Sequence, residues 1–301
     1  MEMRSIPSKI TLRFFHRESI GYLFVAPALI YLGTLILYPV VYNIWLSFHK
    51  SRYGTTAFVG IQNFINVVNA RGFGQVMLNT IVWTVGNMFI MYVLALIAAT
   101  ILRSIPRGRT VFRTILLLPW VVPGVVGGIL WRYMLHSRYG IVNDVLSRLG
   151  LIDQPVYWLS NPDTSLLSVM LAYIWKVYPY VMILLMAGLE AIPSHLYDAA
   201  RVDGANTWRQ FRHITLPLLA PVTRVIIVLM GIWTFNSFDL TYIMTKGGPL
   251  YSSEILAMRI YSTAFSDFRF GMASATSVIA FVITLAFASG YTFWSRKREY
   301  Y

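Results

Sequence analysis

Six long apolar runs decide what this chain can fold into. They fall at about residues 22–48, 75–102, 114–135, 165–189, 218–244 and 273–294. Each reaches the ~20 apolar residues that a helix needs to cross a hydrocarbon core roughly 30 Å thick. A backbone inside that core has no water to bond, so such a segment must satisfy its own N–H and C=O groups as a helix. Only 12% of the 301 residues are charged and 57% are hydrophobic, whereas soluble domains carry about 25% charged residues. The expectation is an all-α membrane protein whose six transmembrane helices occupy residues 21–295, between tails at 1–20 and 296–301. The first run is too long for the apolar core of a signal peptide and no cleavage site follows it, so it is expected to be retained.

The net charge of +13 follows the topology rather than a nucleic-acid surface. Arg4, Lys9, Arg13 and Arg17 precede the first run, and Arg103, Arg107, Arg109 and Arg113 crowd the short loop after the second. Arg201, Arg209 and Arg212 lie in the loop after the fourth, and Arg296, Lys297 and Arg298 follow the last. The alternate loops are longer and less basic. The positive-inside rule then places both tails and the 190–217 loop in the cytoplasm of a multi-pass protein of the cytoplasmic membrane. No nucleic-acid partner is implied. There is no cysteine, hence no disulfide or thiol chemistry. GxxxxGK[ST], HExxH and GxSxG are absent and the five histidines form no ligand cluster, so no metal site or catalytic residue is read from the chain.

The most polar stretch between two apolar runs is 190–221, EAIPSHLYDAARVDGANTWRQFRHITLPLLAP. Ser194 can cap a short helix in which Leu196, Ala199, Ala200 and Val202 make an apolar face. Gly204 reads as a helix-ending glycine. Asn206 or Thr207 can cap a second helix, with Trp208, Phe211 and Ile214 on one face, which Pro217 and Pro221 stop. Asp198-Ala199-Ala200, Asp203-Gly204-Ala205, Phe211, Ile214 and Leu216-Pro217 together resemble the EAA loop of ABC-importer permeases. The sequence departs once: Asp198 stands where that family has Glu, the same carboxylate on a stem one methylene shorter.

The resemblance covers most of the chain and is strongest over 164–249, where WxxxPY, the EAA-type loop and a TxGGP turn at Thr245–Pro249 occur in the family's order. It is closest in character to carbohydrate permeases of the maltose and glycerol-3-phosphate type. It implies a type I importer bundle with a cytoplasmic coupling helix. It also implies partners: a second homologous permease, two ABC ATPase subunits that hold ATP and Mg, and an extracytoplasmic sugar-binding protein. Asp198, Ala199, Ala200, Asp203, Gly204, Ala205, Trp208 and Phe211 become the coupling residues. The small side chains allow close approach to an ATPase cleft, the two carboxylates offer charge, and the two aromatics anchor the second helix to the bundle. This chain itself would bind no cofactor and catalyse nothing.

Several residues inside the runs carry further expectations. Tyr38-Pro39 suggests a kink in the first span, and 58–64 an outer segment or plain amphipathic turn. Asn79, Trp83 and Asn87 share a helix face, which suits helix–helix hydrogen bonding or a water-filled path. Pro119 and Pro123 should bend the third span. In the outer 136–163 segment, Val142, Val145, Leu146 and Leu149 are expected inward. Lys176 lies about twelve residues into the fourth span, roughly 18 Å deep at about 1.5 Å per residue. It is either a functional cation, a structural pair or a snorkelling side chain. Tyr180, Thr234 and Ser237 match the positions where sugar permeases of this family hold substrate, with Thr234 and Ser237 expected on one face of the fifth span.

Two rivals have different signatures. A channel or facilitator would need no coupling loop, and a membrane enzyme would need convergent carboxylates, which here are scattered. Within the importer class, Lys176 also admits a phosphate ester or acidic saccharide as cargo. A reporter fused after Tyr301 is expected in the cytoplasm and one inserted near Gly150 outside; both reporters on one side would refute the six-span topology.

Overall fold

A computed structural model describes residue 22, residues 24–52 and residues 55–296. The basic residues of both tails, Arg4 to Arg17 and Lys297 and Arg298, lie outside the described residues. Five helices are long and apolar enough to cross a bilayer: Phe24–Ser47, Phe73–Ser104, Pro162–Glu190, Thr207–Phe235 and Phe270–Ser295. The third apolar run is a pair, Arg109–Val121 and Gly124–Met134, meeting at 92°. Counted as one crossing, that pair brings the total to six.

The fourth span is the axis of the bundle. More than half of its apolar stretch is buried inside the chain, whereas none of the first span's is. Toward one end it contributes Val169, Tyr173 and Ile174 to a core with Trp83, Trp131, Leu240 and Ile255. Toward the 190–217 loop it contributes Val181, Met182, Leu185 and Leu189 to a second core with Ala95, Ala99, Leu219 and Ile226. Lipid supplies no hydrophobic drive between helices, so close packing of small residues must hold them together. Ala95 and Ala99 are fully buried in the seam between the second and fourth spans. Gly188 does the same against the fifth, where a Cβ would come within 2.9 Å of both Leu219 and Val222. The first span packs on the sixth and leaves a long apolar face uncovered.

Prolines act differently according to what precedes them. The first span carries a π-helical turn at Gly33–Leu37 just before Pro39 and remains one helix. The fifth carries another at Phe211–Thr215 just before Pro217. A widened turn relieves the clash of the proline ring with the carbonyl four residues back and tolerates its missing N–H. This corrects the expectation that Pro217 stops a separate helix: the second coupling helix runs into the fifth span without a break. That span also ends earlier than 244, at Phe235, and a separate helix Asp239–Thr245 follows. Asn236 closes the first helix, its side-chain Nδ2 donating back to Ile232 O at 2.8 Å.

The loops depart locally from an all-helical reading. His49–Arg52 and Thr55–Phe58 pair as an antiparallel hairpin, with His49 opposite Phe58. Asn63, from the 58–64 segment, donates to Ser47 O and His49 O, both at 2.9 Å, and so stitches that hairpin to the first span. In the helix Ile141–Arg148, Val142 and Leu146 are partly buried but Val145 and Leu149 are exposed. Asn143 takes the inward place instead, bonding Ser137 O, Val156 O and Trp158 Nε1 at 2.8–3.1 Å.

Of the polar residues shared by one face of the second span, Asn79 donates to Tyr251 O at 2.8 Å and Glu254 O at 3.0 Å. Trp83 Nε1 donates to Thr234 O at 2.9 Å, and Asn87 Nδ2 bonds back to Trp83 O at 2.7 Å. All three side chains are buried and tie helices and loops together. Asn79→Leu would remove both donors to this loop and leave the buried Glu254 carbonyl without its side-chain partner, and is expected to destabilise the protein by about 1–3 kcal/mol, read as a lowered thermal midpoint in detergent; an unchanged midpoint would contradict this role.

Candidate functional site: the coupling loop and the broken third span

The 190–217 loop is a rigid element. Its first helix is Ser194–Val202. Pro193, not Ser194, occupies the capping position, and Ser194 is the first helical residue with no side-chain cap. At the other end Gly204 adopts φ +73°, a region that costs glycine nothing. Ala205 N bonds Ala200 O at 2.8 Å and Gly204 N bonds Arg201 O at 3.1 Å. This is the paired-bond Schellman closure of a helix C-terminus. Asn206 Oδ1 then accepts from Arg209 N at 2.9 Å and caps the next helix, as expected, while Gln210 Nε2 bonds Ala205 O at 2.9 Å.

The loop divides its faces differently from the expected apolar stripe. Leu196, Tyr197 and Ile214 pack on the bundle core. Ala199 and Val202 point away from it, Val202 being 89% exposed. Asp198, Asp203 and Gly204 are exposed on the same outward surface, with Asp198 ion-paired to Arg201 one turn on. Ala200 and Ala205 are half-buried. Trp208 stacks on Phe211 with centroids 5.7 Å apart but stays 64% exposed. It therefore does not anchor into the bundle within this chain.

Two arginines from outside this loop, Arg103 and Arg109, help to hold it. Tyr197 OH bonds Thr215 Oγ1 at 3.0 Å and accepts from Arg103 Nη1 at 3.2 Å. The Arg103 guanidinium also lies over the Tyr197 ring, 4.9 Å from its centroid. Arg109 pairs with Glu190 at the base of the loop. The signal was present as the basic cluster of the loop after the second span, but topology alone accounted for it.

The second group of expected site residues meets at the break in the third span. Val122 and Pro123 leave the helix, and Pro123 cannot donate to the preceding turn. The last carbonyls of the first half are therefore open. Lys176 Nζ donates to Val122 O at 2.8 Å and to Trp120 O at 3.4 Å. A cation at a helix C-terminus also matches the negative end of its dipole. At the start of the second half a Cβ on Gly124 would fall 1.6 Å from Asp239 Oδ2, so the Asp239 carboxylate lies on the turn whose free N–H groups favour an anion. The two halves of the span are thus each met by an opposite charge from a different helix.

One turn beyond Lys176, Tyr180 is stacked between two tryptophans. Its ring centroid is 5.2 Å from that of Trp120 and 5.4 Å from that of Trp233, with interplanar angles of 22° and 29°. Both tryptophans keep about half their surface open. Thr234 is turned away from this ladder. It is fully buried, accepting from Tyr173 OH at 3.4 Å. Ser237 lies past the end of the helix, its amide donating to Thr234 O at 3.2 Å. The helix ends between Thr234 and Ser237 at Phe235, yet both side chains lie beside the Tyr173 hydroxyl.

A helical bundle, an exposed helix–turn–helix loop and a broken span beside an aromatic ladder are the features of a membrane transport subunit. Comparison with known proteins agrees. Residues 91–299 match the model of the family described as binding-protein-dependent transport system inner membrane component, and the chain belongs to that family. It is 36% identical over 298 residues to the trehalose/maltose transport system permease protein MalF of Thermococcus litoralis, covering 97% of this chain and 99% of that one. It is 34% identical over 277 residues to the sulfoquinovosyl glycerol transport system permease protein SmoG of Agrobacterium fabrum, covering 89% and 88%. Its fold matches a permease chain from the crystal structure of a bacterial alginate ABC transporter in complex with an alginate pentasaccharide-bound periplasmic protein, with TM-score 0.83, 21% identity and coverage of 95% and 96%. The chain is a non-catalytic permease subunit of an ABC importer.

Lys176→Met would leave the carbonyls of Trp120 and Val122 open. Stability is expected to fall by about 1.5–3 kcal/mol, the range for a charged hydrogen bond, with uptake falling in parallel, and Lys176→Arg should recover part of both. Loss of uptake at unchanged thermal stability would place Lys176 on the cargo instead.

Proposed function

We propose that this subunit translocates a sugar, from mono- to oligosaccharide, handed over by an extracytoplasmic binding protein. Transport would be driven by two ATPase chains acting on this permease and a second, homologous one. ATP and Mg reside on the ATPases. Both termini and the 190–217 loop face the cytoplasm, as the basic loops require. The observation that carries the reading is the closed, outward-facing 194–215 element. An ATPase cleft that moves on binding ATP must push on something that does not yield. Ala199 and Val202 give that surface a small and an apolar contact, and Asp198 and Asp203 give it charge. The thrust passes to the fourth and fifth spans through the chain and to the second span through Tyr197 and Arg103.

The relatives named for maltose, trehalose and sulfoquinovosyl glycerol support a carbohydrate as cargo. Sugars offer an apolar face to aromatic rings and hydroxyls to polar groups, and a pocket for them combines the two. The Trp120–Tyr180–Trp233 ladder supplies the aromatic component. Ser237, Asn236 and Asp239 lie just past the end of the span that carries Trp233. Of the expected cargo positions, Tyr180 and Ser237 remain suited to contact. Thr234 is buried, and the charge of Lys176 is already engaged by helix carbonyls, so an anionic cargo gains no support from it.

Two sets of variants test this in the assembled importer. Gly204→Asp strains the left-handed turn although the space around it is open, and Asp198→Lys reverses a surface charge. Both are expected to insert normally yet lose uptake and ATP hydrolysis stimulated by the binding protein; normal values in both would remove the loop from coupling. Tyr180→Ala is expected to reduce uptake several-fold, the size of one or two interactions worth about 0.5–1.5 kcal/mol each, while stimulated hydrolysis persists. Uptake and hydrolysis falling together would make the ladder a packing feature.

A further inference from the structure

The loops opposite the cytoplasmic ones are poor in basic residues, yet three separate segments bring basic side chains to one cavity there. Arg71 lies just before the second span, Lys246 just after the 239–245 helix and Arg269 just before the sixth span. All three are exposed and line a cavity of about 670 Å³. Among the described residues none of their side chains makes a hydrogen bond or ion pair within the chain. A fourth cation, Arg259, is already engaged. It is held by both carboxylate oxygens of Glu254 at 2.6 and 2.7 Å, bonds Arg71 O and lies over the Tyr251 ring. Burial pulls its pKa down, but the bonds and charge of Glu254 outweigh this and hold it above its ordinary value. Asp267 is the one acid left on the cavity wall outside that pair.

The cavity is two-sided in chemistry. Its cationic rim stands where two spans begin, the level of lipid headgroups. Its floor is apolar, formed by Val67, Phe73, Met258 and Met272, and it reaches Thr276, buried in the sixth span. The segment that closes it is built for shape. Lys246, Leu250 and Tyr251 all hold positive φ, at 50°, 49° and 64°, an arrangement that persists only where surrounding structure demands it. Tyr251 packs against Gly72, where a Cβ would fall 2.8 Å from its ring, and its carbonyl is fixed by Asn79. Leu250 is left 84% exposed at the edge. A carboxylate from a protein partner would fill a small part of this volume and leave the apolar floor empty. A phosphate joined to an acyl chain fits both the rim and the floor.

We propose that this cavity binds an anionic phospholipid, its headgroup phosphate held by Arg71, Lys246 and Arg269 and the start of its acyl chain on the Val67–Met272 floor. The lipid belongs to the outer leaflet if the cytoplasmic loops face as argued above, but binding itself does not depend on that orientation or on the transport reading. The test uses the purified, delipidated full chain with equimolar phosphatidylglycerol and phosphatidylcholine, the retained lipid being counted by native mass spectrometry. Wild type is expected to prefer phosphatidylglycerol at least about tenfold, and Lys246→Gln to reduce that preference about fivefold, the contribution of one basic residue near a charged surface. The triple variant R71Q/K246Q/R269Q should lose the preference while its thermal midpoint stays within a degree or two, and Lys246→Arg should keep it. Equal retention of both lipids by wild type, or a preference that survives in the triple variant, overturns the proposal. Displacement of the lipid by inorganic phosphate at equal concentration also overturns it, in favour of a free-anion site. If the triple variant loses capture of an acidic soluble binding protein but keeps its lipid preference, the rim belongs to protein docking.

Discussion

A carbonyl left open in hydrocarbon is costly, and the architecture follows from where this chain opens its backbone and what closes it again. Along five spans the helices satisfy themselves, with π-helical turns absorbing Pro39 and Pro217. The third span is the exception. Its helix stops at Val121 and restarts at Gly124, and Lys176 from the fourth span takes the open carbonyls of Trp120 and Val122. Non-helical backbone at membrane depth is tolerated where protein or a water-filled cavity surrounds it. The break accordingly sits beside the fourth span and the 239–245 helix, where Lys176 and Asp239 meet it.

That arrangement divides the third span between two bodies. Its first half packs on the fourth span and, through Arg109 and Glu190, reaches the base of the coupling loop. Its second half packs chiefly on the 239–245 helix, where Asp239 meets Gly124. A displacement of the cytoplasmic loop would therefore be felt first at the break, beside Tyr180 and its two tryptophans. The coupling loop and the aromatic ladder lie at opposite ends of one continuous set of contacts through the fourth span. The fourth span can transmit such a movement because it is one unbroken, heavily buried helix whose single interior proline is Pro179.

Much of the fold was legible because the bilayer imposes so few options. Runs of about twenty apolar residues had to be helices, and the closing Gly204 and capping Asn206 were chemically explicit. The coupling loop was readable for a related reason: a Schellman closure and an N-cap need particular residues at particular spacings. The sequence was least informative where a residue's role depended on a distant neighbour. Lys176 looked like a candidate for cargo because nothing local reveals an open carbonyl 54 residues away. Thr234 and Ser237 looked like parts of one continuous helix because the early end at Phe235 carries no glycine or proline to announce it.

The sequence by itself determined the membrane class, the number and order of the apolar segments and the location of the Gly204 turn. These follow from local chemistry: hydrophobic length and backbone conformation. Only the tertiary structure decided which polar groups face one another. It joined Arg103 to Tyr197, placed Tyr180 between Trp120 and Trp233, and gathered Arg71, Lys246 and Arg269 around one cavity. Those pairings depend on how helices far apart in sequence rotate about their axes to bury small residues, and a rotation of that kind leaves no mark in the order of residues along any single helix.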